Sequence, residues 1–243
     1  MAAIQAAIDA DADWVEIDVQ ETADGEIVVI HDSDLKKVSG NPMKISDSSI
    51  AELQGVDIGS WFGPEFSDQR IPSLQQVLEL CKGRVGVNIE LKYYGGEQRL
   101  EESVAGIVEA TAMQDQVVLM SLNYSGIKMM RDLRPGWTMG LLSTVALGDV
   151  IGLDVDFLAL NAQSTSRNKI RSIHNRDKRV MVWTVNDAVG MSIMFGRGVD
   201  AIITDEPALA VFVLEQRKEL NPAERLLLHL ADVFDQPSMY IDQ

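Results

Sequence analysis

The sequence predicts an α/β fold, a TIM-type (β/α)8 barrel with about seven barrel strands, incomplete at the N-terminus. Three observations carry this. Eight short runs rich in apolar residues alternate with longer amphipathic stretches. Most of those runs are near-continuous apolar strings, the pattern of strands covered on both faces and hence of a parallel sheet. At 243 residues the chain also has the length at which α/β barrels form one unit.

The elements follow in order. Residues 2–10 read as a helix leading into the first strand, 14–19. The second run, 26–31, is joined to the first by Glu21-Thr22-Ala23-Asp24-Gly25. Asp-Gly between two strand-like runs marks a hairpin, so this run is a local extension and not a barrel strand. Further strands are expected at 85–91, 117–122, 138–142, 157–160, 180–185 and 201–204. Between them lies a helix at 71–81, with Ser73 and Gln76 at capping-box spacing. Another spans 97–113, and a third, 124–133, is stopped by Pro135-Gly136. Helices at 165–176, 187–195 and 207–220 follow, then a terminal amphipathic helix at about 222–234 with Asn221 as N-cap and Pro222 at its first position. No internal linker or repeat interrupts the pattern, so residues 1–243 read as a single domain. A closed barrel has eight strands. The seven counted here, and a first helix with no strand before it, suggest a chain that begins late.

Acidic residues number 37 and basic residues 21, a net charge of −16. That balance excludes a phosphate-backbone binder, which needs clustered Lys and Arg, so no nucleic-acid partner is expected. It argues more weakly against an anionic membrane surface. No apolar run approaches the roughly 18 residues of a membrane span, so a soluble domain is expected, cytoplasmic or attached to a membrane protein. The single cysteine, Cys81, sits in the apolar run 77–81 and reads as an inert core residue.

Strand residues two apart share a face. Glu16 and Asp18 therefore point together, opposite Val15, Ile17 and Val19. Asn88, Glu90 and Lys92 repeat the arrangement. Three inward carboxylates at one rim make an oxygen site for Mg²⁺ or Ca²⁺. The alternative is a structural ion pair with Lys92. His31 ends the hairpin run at the same rim and is the general acid/base candidate. Asp32 either orients it or caps the turn. His174 and His229 fall on outer helices. Ser121, Asn161, Trp183, Asn186, Thr204 and Asp205 close later strands; each is a helix cap or a rim residue, and Trp183 is core or rim.

The segment 14–20, with Thr22, Asp24-Gly25 and Val28-Val29-Ile30-His31-Asp32, resembles the core of the glycerophosphodiester phosphodiesterase family. Asn88-Ile89-Glu90-Leu91-Lys92, Trp183-Thr184-Val185-Asn186 and Ile203-Thr204-Asp205-Glu206-Pro207 resemble its later motifs in the same order, and residues 57–62 resemble a loop of that family. The resemblance implies metal-dependent cleavage of a small-molecule glycerophosphodiester into an alcohol and glycerol 3-phosphate. By motif, Glu16, Asp18 and Glu90 match the metal ligands and His31 one of two catalytic histidines. Lys92 matches a phosphate-facing residue, and Trp183 a pocket aromatic. The family's opening His-Arg-Gly strand has no counterpart after Met1, which implies impaired activity and an open barrel edge able to support self-association. A parent protein linked to a membrane is compatible with that start. The competing expectation is a non-catalytic barrel that binds a metal, a phosphodiester or a partner.

Overall fold

The structure is a computed structural model that describes residues 1–96, 98–143, 151–224 and 227. It divides into two compact units, one of Met1–Ser143 with Asp154–Leu158, the other of the remaining residues.

In the first unit, helix α1 (Ala2–Asp9) leads into strand β1 (Trp14–Glu21). Strand β2 (Ile27–Val29) turns back antiparallel on β1, pairing Val19 with Val29 and Gln20 with Val28. The Asp24-Gly25 signal is borne out: Gly25 takes φ 80°, a conformation open to glycine at little cost, and its N–H donates to the Thr22 carbonyl. The strand is three residues long, shorter than the expected 26–31.

Two short helices follow, α2 (Lys36–Ser39) and α3 (Ile50–Gln54), the latter opened by a Ser49/Glu52 capping box. Sequence periodicity did not reveal them, since four or five residues complete barely a turn. They enclose a small apolar cluster of Val28, Leu35, Ile45, Leu53 and Ile71.

Helix α4 (Leu74–Cys81) carries the expected Ser73/Gln76 capping box and buries Leu74, Val77, Leu78 and Cys81. Strand β3 (Gly86–Leu91) pairs parallel with β1, Asp18 opposite Glu90 and Glu16 opposite Asn88. Helix α5 (Leu100–Ala110) is shorter than the expected 97–113. The Glu21 carboxylate accepts the N–H groups of Gln98 and Arg99 at 3.0 Å and holds them outside the helix. At the far end Ala112 turns to φ 52°. Strand β4 (Val117–Ser121) pairs parallel with β3, helix α6 (Tyr124–Leu133) is capped by Asn123, and strand β5 (Met139–Ser143) pairs parallel with β4. The order within this unit is β2-β1-β3-β4-β5. The first residues of strand β6 (Phe157–Asn161) belong here too, where the Asp156 N–H donates to the Met139 carbonyl at 2.7 Å.

The second unit takes up the rest of β6. Helix α7 (Arg167–His174), capped by Ser166, leads to strand β7 (Arg179–Trp183). Helix α8 (Ala188–Arg197) is capped by Asp187 and ends at Gly198, φ 90°. Strand β8 (Ala201–Ile202) pairs parallel with β7. It is two residues long instead of four because Thr204 and Asp205 are drawn into a hydrogen-bonded corner with the Asn186 side chain. Helix α9 (Pro207–Glu219) ends the unit. Asn221 accepts from the N–H groups of Ala223 and Glu224, which bears out its capping role; most of the expected helix 222–234 lies outside the described residues.

Among the described residues no helix is long and apolar enough to cross a membrane.

Candidate active site

The parallel register of β1 and β3 builds the site in the first unit. Val15, Ile17 and Val19 are buried on one face of β1, which leaves Glu16 and Asp18 on the other. Because Asp18 stands opposite Glu90, and Glu16 opposite Asn88, the face continues across both strands. One carboxylate oxygen from each of Glu16, Asp18 and Glu90 lies within 4.8 Å of the other two. The expected metal triad is therefore brought together.

Lys92, one residue beyond β3, places its Nζ 3.1 Å from Asp18 Oδ1 and 2.8 Å from Glu90 Oε1. The ion pair foreseen as an alternative is thus present as well. The one ammonium is shared between two of the three carboxylates. Glu90 is only 4% exposed. Burial raises its pKa, Lys92 opposes that rise, and Asp18 adds to it. The Lys92 ammonium is pulled down by burial but held above its usual range by Glu90 and Asp18. Beside them Asn88 is buried, its amide nitrogen on Met120 Sδ at 3.3 Å and its Oδ1 without a hydrogen-bond partner. Hard oxygen donors, excess negative charge and an unsatisfied amide oxygen all fit a hard divalent cation.

His31 follows β2, its ring largely exposed and its Nδ1 2.7 Å from Asp32 Oδ1. Asp32 therefore orients the imidazole instead of only capping a turn, and Nε2 is left for proton exchange. His31 is the one histidine in the first unit. His174 is tied to Asp200 at 2.8 Å in the second unit, and His229 lies outside the described residues. Trp183, also in the second unit, is half-buried, and its indole N–H donates to the Ala159 carbonyl at 3.2 Å. Cys81 is fully buried on α4, as expected of a core residue.

Sequence reasoning missed two residues. Gln20 continues the face of Glu16 and Asp18, and its amide reaches the loop that carries His31. The period-2 spacing from Asp18 was the available signal. Tyr94 donates its hydroxyl to the His31 carbonyl at 2.8 Å. Burial raises its pKa, with Lys92 opposing and Asp18, Asp32 and Glu90 adding. No spacing in the sequence pointed to Tyr94.

The chain is similar to several known proteins. A glycerophosphodiester phosphodiesterase from Caldanaerobacter subterraneus is 30% identical over 216 residues, covering 85% of this chain and 88% of its own. One from Bacillus altitudinis is 28% identical over 235 residues, covering 90% and 93%. A solved phosphodiesterase from Oleispira antarctica, in complex with the product sn-glycerol-3-phosphate, superposes with a TM-score of 0.84 at 25% identity, covering 88% of this chain and 90% of that one. The expected TIM-type α/β barrel fold is the fold of this solved relative. The sequence profile described as the glycerophosphoryl diester phosphodiesterase family matches residues 1–209, and the chain belongs to that family of hydrolases.

Proposed function

We propose that this chain hydrolyses glycerophosphodiesters to an alcohol and glycerol 3-phosphate, with Glu16, Asp18 and Glu90 holding a divalent cation, Mg²⁺ or Ca²⁺. The observation that carries the reading is the convergence of three carboxylates on one rim with a single ammonium among them. Support for the substrate class comes from the Oleispira antarctica relative, which was solved with sn-glycerol-3-phosphate. Such a cation, when bound, offsets the negative charge that builds on the phosphate oxygens in the transition state.

The chain's own residues do the rest. Lys92 supplies a fixed positive charge for a phosphate oxygen. Its ammonium is held by Asp18 and Glu90, so it is oriented before substrate arrives. His31 moves the proton: Asp32 holds Nδ1, and the exposed Nε2 takes a proton from the attacking oxygen or gives one to the leaving alcohol. In this balance one P–O bond forms, the P–O bond to the alcohol breaks, and the alcohol leaves protonated. For Trp183 we propose the substrate-facing role implied by the resemblance. Trp183→Ala should then raise KM more than it lowers kcat, and an unchanged KM counts against it.

The test is release of glycerol 3-phosphate from glycerophosphocholine and glycerophosphoethanolamine, in Mg²⁺, in Ca²⁺ and in EDTA. Turnover with metal and its loss in EDTA support the reading. Activity that persists in EDTA refutes the assigned role of the carboxylates. Metal binding without turnover of either diester favours the non-catalytic barrel.

A further inference from the structure

We propose that Gln20 is the positioning residue for His31, an inference that rests on the reading of His31 as the proton carrier. The imidazole is 64% exposed by side chain, and the ring bond that fixes it is the one to its neighbour Asp32. A ring that is not packed takes its place from its backbone. That backbone is bolted down from β1. Gln20 is buried, 5% exposed, on the same face of the strand as Glu16 and Asp18. Its Nε2 lies 2.7 Å from the Ile30 carbonyl, 3.2 Å from that of His31 and 2.9 Å from that of Asp32.

Three successive carbonyls turned toward one point do not occur in a regular strand, where they alternate. Their dipoles repel unless a donor sits at the focus, and the Gln20 amide is that donor. Two further bonds complete the clamp. The Ile30 N–H donates to the Asp18 carbonyl at 2.9 Å, and the Tyr94 hydroxyl donates to the His31 carbonyl at 2.8 Å. The stretch 30–32 is therefore fixed relative to the strand that carries two of the three carboxylates. Gln20 touches no reacting atom in this arrangement; it sets where the imidazole stands. Displacing an acid/base group by about 1 Å can cost on the order of 10²-fold in rate.

The experiment is a double-mutant cycle with Gln20→Met, which keeps length and volume but removes the donor, and His31→Ala. Gln20→Met should lower kcat about 10- to 100-fold, with KM and the Mg²⁺ dissociation constant within about twofold of wild type. In the His31→Ala background the same substitution should cost nothing further. An equal loss in both backgrounds overturns the proposal. A His31→Ala variant with wild-type kcat instead refutes the proton-carrier reading, so the two failures are distinguishable.

A readout independent of turnover accompanies it. The ¹H–¹⁵N heteronuclear NOE of the His31 and Asp32 amides should fall in Gln20→Met while the melting profile stays cooperative; an unchanged NOE overturns the proposal. If Gln20→Met does not fold, Tyr94→Phe removes the other donor to the His31 carbonyl from a half-exposed position. It should lower the same NOE values and reduce kcat by about two- to fivefold, and no change in either counts against the clamp.

Discussion

The amide N–H of Ile30 donates to the carbonyl of Asp18 at 2.9 Å, so the residue before the imidazole hangs from a residue that offers a carboxylate. The proposed acid/base group, His31, and two of the three proposed cation ligands, Glu16 and Asp18, thus share one hairpin. Their separation is set by β1 and β2 backbone, not by the packing of distant helices.

Replacing Glu90 by Gln removes one of three charges while keeping shape. Turnover should fall by at least about 10²-fold. Mg²⁺ or Ca²⁺ should raise the melting temperature of the native protein, and that rise should vanish in the variant, since a ligand that no longer binds no longer stabilises. In EDTA the variant should melt no lower than wild type, because burial already penalises the charged form of Glu90. Turnover like the wild type's would contradict the site as drawn.

Lys92→Met leaves Asp18 and Glu90 facing each other with no counter-charge. Breaking a buried pair costs about 3–5 kcal/mol, so the melting temperature in EDTA should drop clearly. Added divalent cation should recover more stability in this variant than in wild type, because it then takes the place of the ammonium between Asp18 and Glu90. Calorimetry with and without Mg²⁺ decides it; equal melting temperatures in EDTA would show that the ammonium contributes nothing there.

Gly140 on β5 lies against Phe157. A Cβ built there would sit 2.1 Å from the fully buried ring. Gly140→Ala should destabilise the protein by about 1–3 kcal/mol through overpacking, read as a shift in the urea midpoint. Adding Phe157→Leu to it should recover part of the loss. A neutral Gly140→Ala would mean the strands part more easily than this contact allows.

Asp57 accepts from the Gly59 and Ser60 N–H groups at 2.8 and 3.0 Å and from the Ser60 hydroxyl. The hydroxyl first, then those amides, hold its pKa at about 2 against an ordinary 3.8. A carboxyl lowered on folding stabilises the fold above its unfolded value and loses that contribution as pH falls toward the folded one. The contribution is therefore whole above about pH 4 and fades between about 4 and 2. A carbon-detected NMR titration of the Asp57 carboxyl should give a midpoint near 2; a midpoint at the unfolded value would remove the cap.

Burial pushes the Cys81 thiol up to about 11. The folded protein should not react with a disulfide reagent at pH 8, and the same protein in guanidinium should react with one thiol per chain. Rapid labelling in the native state would place Cys81 outside the core.

Much of this was legible in the sequence, for local reasons. Residues two apart in a strand must share a face, so the Glu16–Asp18 and Glu90–Lys92 spacings projected onto one rim. Asp24-Gly25 and the Ser73/Gln76 pair act within four residues of themselves, so they read correctly in isolation. The start of α5 depends on Glu21, far away in sequence, which no window around residue 97 contains. The corner that shortens β8 depends on Asn186. Gln20 was silent because a glutamine in a strand has many unremarkable uses, and only the fold shows three carbonyls meeting at its amide.

One eight-residue strand thus carries two of the clustered carboxylates, the glutamine that reaches the His31 loop and, on its other face, part of the core. Side chains on a strand invert with every residue, so a shift of β1 by a single position would turn all of them around together. A one-residue insertion or deletion in this strand is therefore not a graded injury. It turns the apolar residues Val15, Ile17 and Val19 to the site and Glu16 and Asp18 to the core in one step.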